Sequence, residues 1–282
     1  MTEQIFGLIG YTILEKNNKK VLVMADRHDA LPPCNYDYVS VAEWMKTKFN
    51  TSNILLEEVE RSPEHTLREL WDTSIHTQEL KNLYLNNTNI VIPIDIRNNY
   101  IPYSWEIFNK DDKNHDITVG QYLENMNTFF TLKCNKLRKQ IKIYNSSSLR
   151  KTALGRYYLM IKKEYRKFID TNKNYLTQKM KDVNRHKIFN TFNDILHGIL
   201  EWYSIARIIN SNKNSIIHTG LAHSEKIVKY LQELFGYKVI DSQGTNTMDQ
   251  LNQSGLSCFA LPSDLNKQFG GNKHFGIFSQ LF

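Results

Sequence analysis

Four short runs decide the fold of this 282-residue chain: Val21-Leu-Val-Met-Ala-Asp-Arg-His28-Asp29, Ile54-Leu-Leu-Glu57-Glu58, Ile90-Val-Ile-Pro-Ile-Asp95-Ile-Arg97 and Ser215-Ile-Ile-His218-Thr-Gly-Leu-Ala-His223. Each is apolar without alternation, rich in Val or Ile, and broken by an ionisable residue. A strand exposed on one face alternates apolar and polar residues, whereas a strand of a parallel sheet is covered on both faces and does not. Parallel neighbours also need a crossover long enough to hold a helix. Helical patterns separate these runs, so they predict an α/β fold: a mostly parallel central sheet with helices on both faces. In such sheets the carboxyl ends of the strands form one rim, and ligands bind there. His28, Glu57, Asp95, Arg97 and His223 are therefore expected to converge on one site.

The flanking sequence fits the same plan. Ile5 to Leu14 and Lys20 to Asp26 are apolar segments joined by Lys16-Asn-Asn-Lys, a hairpin signal. Val41, Trp44, Met45 and Phe49 fall at helical spacing, and Ser62-Pro-Glu-His opens a second helical stretch through Leu85. From about Thr118 to Asn210 the pattern is almost wholly helical. Its last helix, with Ile199, Tyr203, Ala206 and Ile209, is apolar on more than one side and is expected to pack under the sheet. A helix from about Ser224 to Phe235 stops at Gly236, and a strand at Tyr237 to Ile240 follows. Residues 1–242 thus read as one α/β domain with a basic helical insertion at about 118–190 that caps the rim. Residues 243–282 read as a loop or tail, with Phe275-Gly-Ile-Phe-Ser-Gln-Leu-Phe as a docking strand.

Composition narrows the class. A hydrophobic fraction of 41% and an aromatic fraction of 12% belong to a folded globule. No apolar stretch approaches the roughly 20 residues a bilayer span requires, and Met1-Thr-Glu-Gln-Ile-Phe has no signal-peptide pattern. Cys34, Cys134 and Cys258 are scattered and odd in number, with no Cys-x-x-Cys spacing. They read as free thiols in a reducing compartment, hence a cytoplasmic protein, in a host cytoplasm or a virion if the source is viral. The formal charge of +7 is concentrated in the middle third, as in Lys162-Lys-Glu-Tyr-Arg-Lys167. Without a nucleic-acid motif beside it, this reads as a solvated helix face or a surface for protein partners. The abundance of Asn, Lys and Ile suggests an AT-rich genome, such as that of a large DNA virus or a protist.

Each candidate also has a plain structural reading. His28 follows a buried run, and its plain reading is a histidine hydrogen-bonded to backbone in the core. Glu57 or Glu58 must lie near the rim, since adjacent strand residues face opposite ways, and a buried carboxylate such as Glu57 needs an Arg, His or metal partner. Asp95 and Arg97 share one face and fit either an ion pair or a substrate clamp. Asp26, two residues before His28, either orients that ring or is solvated. His218 reads as core. His197 and Glu201 lie four apart on a helix, a spacing more often met in a helix-surface pair than in a metal site. Cys34 is expected to be a thiol buried beside Pro32 and Pro33.

The strand-end residues resemble a superfamily that includes the erythromycin esterase-like, ChaN-like haem-binding, TraB/PrgY and TIKI proteins. Its pattern puts Gly-x-x-His or Gly-Glu-x-His at the end of the first core strand, a Glu at the end of the second, and Gly-x-x-His after a late strand. Here the late motif is Gly220-Leu-Ala-His223, Glu57 matches the carboxylate, and the first motif is altered to Ala25-Asp26-Arg27-His28. Arg185, in Val183-Asn-Arg-His, lies where many members carry an Arg before a helix, although His186 departs from that pattern. The resemblance spans roughly residues 20 to 242. It implies a hydrolase acting on a peptide or ester bond of a small-molecule or peptide substrate. His28, Glu57, His223 and Arg185 would be catalytic, and Asp26, Asp95 and Arg97 would bind substrate. Two chemistries fit. In one, His28, Glu57 and His223 hold a divalent Mn, Co or Zn ion that activates water; in the other, a histidine is general base and an Arg stabilises the oxyanion. The altered first motif keeps a second class open, a non-catalytic binding or structural protein that retains the fold, haem-binding or part of a viral particle.

Overall fold

The polar turn Lys16-Asn-Asn-Lys19 lies next to the middle of the sheet. In the computed structural model of the protein, which describes residues 4–27, 31–32, 34, 37–59, 74–100, 116–130, 151–183, 185–253, 257–262 and 265–270, Asn17 and Asn18 take φ of 50° and 62°. Two successive left-handed residues are what a two-residue hairpin with right-handed twist requires, and Asn enters that region more readily than most residues.

In chain order the strands are β1 (Gln4–Phe6), β2 (Gly10–Lys16), β3 (Lys19–Asp26), β4 (Tyr38–Ser40), β5 (Ser52–Val59), β6 (Val91–Asp95), β7 (Asn214–Gly220), β8 (Lys238–Gly244) and β9 (Cys258–Ala260). The helices, in the same order, are α1 (Val41–Lys46), α2 (Ile75–Asn86), α3 (Val119–Phe130), α4 (Ala153–Asn172), α5 (Arg185–Ile209), α6 (Leu221–Glu233) and α7 (Leu265–Gln268). Six strands form the main sheet in the order β6-β5-β7-β3-β2-β8. β6, β5, β7 and β3 run parallel, while β2 is antiparallel to both β3 and β8. The four quoted runs are thus the four parallel strands. A small sheet, β4-β1-β9, lies beside them.

Strand parity divides the core into two layers. On β3, Val21 and Val23 pack with the helical layer of α3, α4, α5 and α6. Leu22 and Met24 pack on the other face with α1, α2, Phe259 and Phe269. Leu55 and Ile217 belong to the first face; Ile54, Leu56 and Ile216 belong to the second. Burial on both sides is the reason these strands show no polar alternation. The basic helical stretch shares its core with the sheet, because its apolar stripe (Tyr157, Tyr158, Ile161, Tyr165 and Phe168) is buried against α5 and α3. Side-chain caps fix the helix starts. Thr118 and Gln121 satisfy each other's backbone N–H groups at α3, and Thr152 accepts from Gly155 N at α4.

Two expectations are corrected. The stretch after 243 carries β9 and α7 and buries Phe259, Leu261, Leu265 and Phe269, so it is built into the second core face rather than looping free. The expected docking strand at 275–282 lies outside the described residues. Cys34 and Cys258, expected to be free thiols, are joined in a disulfide with Cα atoms 5.8 Å apart across 224 positions. Distance along the chain hid this pairing. β1 sits between β4, which follows Cys34, and β9, which begins at Cys258, so the small sheet gathers the two cysteines. The cysteine pattern therefore no longer argues for a reducing compartment; Cys134 lies outside the described residues. No helix among the described residues is long and apolar enough to cross a membrane.

Closing so long a loop restricts the unfolded chain, so reduction, or a Cys34→Ser/Cys258→Ser double substitution, is expected to lower stability by about 2–4 kcal/mol. Urea denaturation with and without reductant measures it, and equal midpoints would mean that the bridge contributes nothing.

Candidate functional site

The site is organised around Glu57. It follows Leu55 in parity and so points toward the helical layer, while the register Leu56↔His218 brings it level with the end of β7. There Glu57 Oε2 accepts a 2.8 Å hydrogen bond from the backbone N–H of Gly220, the N-cap of α6. A carboxylate at this end of a 13-residue helix meets the positive end of the helix dipole. Its other oxygen, Oε1, lies 3.6 Å from Arg97 Nη2 and 3.5 Å from His223 Nε2.

Arg97 is held from behind. Just past the end of β6 the chain turns, and Asp95 accepts from Arg97 Nε and Nη2, each at 2.7 Å, and from the Arg97 backbone N–H at 3.1 Å. Such a two-pronged pair fixes both the position and the plane of the guanidinium. Burial alone would raise the Asp95 pKa, but the charge and hydrogen bonds of Arg97 outweigh it and hold the carboxyl below its ordinary range. Burial likewise opposes the charge on Arg97, and Asp95 and then Glu57 more than restore it.

His223 stands in the first turn of α6, its side chain 8% exposed, with a carboxylate beside each ring nitrogen. Glu57 is at Nε2. At Nδ1, 3.2 Å away, is Oε1 of Glu201, which α5 inserts from the helical layer. Glu201 is almost fully buried. Its Oε2 accepts from the Tyr157 hydroxyl at 3.1 Å, and Lys226 Nζ lies 3.7 Å from Oε1. His197, one turn before Glu201 on α5, sets its ring edge-to-face with His223 at 4.8 Å. Burial, followed by the nearby His223 and Arg97, pushes the His197 pKa down to about 4. The Tyr157 hydroxyl is raised, first by burial and then by the charge of Glu201.

Glu57, Asp95, Arg97 and His223, which the strand-end pattern singles out, are thus gathered at one rim. His28 lies outside the described residues, and Arg185 is described only as the backbone that opens α5. Asp26 departs from expectation. It follows Leu22 and Met24 in parity, away from the helical layer, and binds His76 Nε2 of α2 at 2.9 Å, both side chains being buried. A solvated Asp26 is therefore excluded, and its described histidine partner is His76. His218 is core as expected, its Nε2 2.9 Å from the Gly7 carbonyl. Cys34, expected as a free thiol buried beside Pro32 and Pro33, is tied up in the disulfide.

Sequence reasoning missed Lys226 and Tyr157, and undervalued His197 and Glu201. A signal for Glu201 was available in Ile199-Leu-Glu-Trp-Tyr203, where a lone acid interrupts an apolar run as Glu57 does. Lys226 and Tyr157 carry no such mark.

Two chemistries suit this geometry. A histidine with one nitrogen held by a carboxylate and the other turned toward a polar rim is set to move a proton. The same carboxylate–histidine pairing stands behind many metal-bound histidines. As metal donors, Glu57 and His223 make two of the three expected ligands, and among the described residues no group of three His, Cys, Asp or Glu side chains is arranged to hold an ion. Comparisons with protein-family models, with curated proteins and with solved structures returned no match.

Arg97→Met removes the cation that Asp95 and Glu57 share and is expected to cost about 1–3 kcal/mol, less than breaking a fully buried pair because these side chains are partly exposed; denaturant titration of the variant checks it. His197 gives a pH dependence of definite sign. With a folded pKa of about 4 against 6.5 unfolded, the unfolded chain takes up the proton first as pH falls. The contribution of His197 to stability is full above 6.5, declines between 6.5 and 4, and stays lost below that. Melting curves from pH 7.5 to 4 should be less steep in His197→Gln than in the parent, and identical slopes would contradict this.

Proposed function

We propose that the chain is a hydrolase of an ester or peptide bond, with His223 as general base. The observation that carries this is the placement of His223 between Glu201 on Nδ1 and Glu57 near Nε2, beside an arginine fixed by Asp95. Glu201 accepts from Nδ1–H, which leaves the Nε2 lone pair to act as base. The 3.5 Å between Nε2 and Glu57 is long for a direct hydrogen bond, so the two groups flank a position for water. As the water oxygen attacks the substrate carbonyl, its proton passes to Nε2 and the carbonyl electrons move onto oxygen. Arg97 stabilises that oxyanion, and its own orientation costs nothing at that moment because Asp95 already holds it. When the intermediate collapses, Nε2–H gives the proton to the leaving group. The resemblance to the TIKI and erythromycin esterase-like proteins supports the same reaction class.

A second form of the same reaction is favoured by the carboxylate behind Nδ1. His28, Glu57 and His223 would hold a divalent cation, which would supply a hydroxide at neutral pH. In that form Glu201 keeps His223 in the ligating tautomer, and Arg97 keeps its role toward the anion.

The test is hydrolysis of a panel of p-nitrophenyl esters and quenched peptides. His223→Ala is expected to lower kcat/KM by about 10²–10⁴, the usual worth of a positioned general base. Glu201→Gln should lower kcat with little change in KM, since it acts through His223. Activity that resists chelators supports the general-base form, whereas loss on chelation with recovery on adding Mn, Co or Zn supports the metal form. Absence of turnover across the panel would favour the non-catalytic alternative.

A further inference from the structure

A cleft of about 460 Å³ opens between α4, α5 and α6, and Glu201 is part of its lining whereas Glu57 and His223 are not. We propose that it is a binding site for a small amphipathic monoanion, a carboxylate with a hydrocarbon or aromatic body, with its head on Lys226. The inference goes beyond the hydrolytic proposal and does not rest on it.

The shape and lining set the body of the ligand. The floor is Ile161, Phe168 and Ile195, with Met160 half exposed at the mouth. Gly198 lets α4 and α5 approach closely, because a Cβ there would stand 3.3 Å from the Ile161 side chain. A cavity of this volume with a mainly apolar wall is of the kind that takes small molecules.

The hydrogen-bond inventory sets the sign of the head group. Glu201, the buried acid at the inner end, has both oxygens engaged, Oε1 by His223 and Oε2 by Tyr157, so it has little to offer a cationic ligand. Lys226 is different. Its ammonium lies 3.7 Å from Glu201, beyond hydrogen-bond range, with the side chain 41% exposed, so its three N–H donors are open to an acceptor in the cleft. Tyr230, one turn further along α6, is already engaged, its ring 4.4 Å from that of Tyr157 and its hydroxyl hydrogen-bonded to the Tyr157 hydroxyl. The other acids of the lining, Glu164 and Asp194, are exposed at the mouth, where water screens them. A carboxylate on Lys226 with its body on Ile161, Phe168 and Ile195 pairs the ammonium and covers the apolar floor.

Octanoate, octylammonium and octanol serve as probes, titrated into the full-length protein by calorimetry and followed by NMR. The expected result is saturable octanoate binding at one site, at least ten-fold tighter than either of the others. Lys226→Met should weaken it at least ten-fold, and Lys226→Arg should retain most of it. Because Lys226→Met also touches Glu201, a second variant at the exposed mouth, Thr191→Trp, should block octanoate by filling the cleft while leaving the melting temperature unchanged. His223→Ala should bind octanoate like the parent, which separates failure of this proposal from failure of the hydrolytic one. Equal affinity for all three probes, absence of saturable octanoate binding, or binding indifferent to both Lys226→Met and Thr191→Trp would overturn the proposal.

Discussion

A carboxylate at the end of a strand covered on both faces has nowhere to go for solvation, and the chain must bring compensating groups to it. Glu57 is that carboxylate. The three groups that meet it come from two other places in the sequence: the Gly220 N–H and His223 from the start of α6, and Arg97 from just past the end of β6. Asp95 then becomes necessary to balance Arg97, and Glu201 gives His223 a second anchor. Strand order makes this affordable in geometry, since β6, β5 and β7 are neighbours whose ends lie level. Loss of parallel register between β5 and β7 by one residue would send Glu57 to the opposite core, away from every one of these partners.

The two faces of the rim hold separate polar groups. Glu57 and its companions belong to the helical side; Asp26 and His76 form their own pair on the side of α2 and the small sheet. Adjacent strands β3 and β7 deliver Asp26 and Gly220 at the same level, yet parity turns the Asp26 side chain away from Glu57. Proximity at a rim is set by strand order, whereas membership of a site is set by the odd or even position along the strand.

Most of the sheet was legible because burial on both faces leaves a mark in composition. Unalternating runs identified β3, β5, β6 and β7, the Asn-Asn dipeptide identified the hairpin, and the ionisable residues at the run ends identified Glu57, Asp95, Arg97 and His223. What was not legible depends on tertiary placement. His76 gives no hint in its helix that Asp26 lies opposite, and two cysteines 224 positions apart gave no hint of a bond until β1 was seen between β4 and β9. Glu201 is an intermediate case. Its i,i+4 relation to His197 resembles an ordinary surface pair, and only the apolar residues on either side of it tell of burial.

The bond between Cys34 and Cys258 closes residues 34–258 into a covalent ring. Within that ring lie Glu57, Asp95, Arg97, Glu201, His223 and Lys226, as well as the helices that line the cleft. A single backbone cut anywhere in the ring, by a protease or by chemical scission, produces no separate pieces. The severed chain stays one molecule of unchanged mass apart from the added water, with the site residues still tethered to each other, until a reductant opens the sulfur bridge and lets the two fragments part.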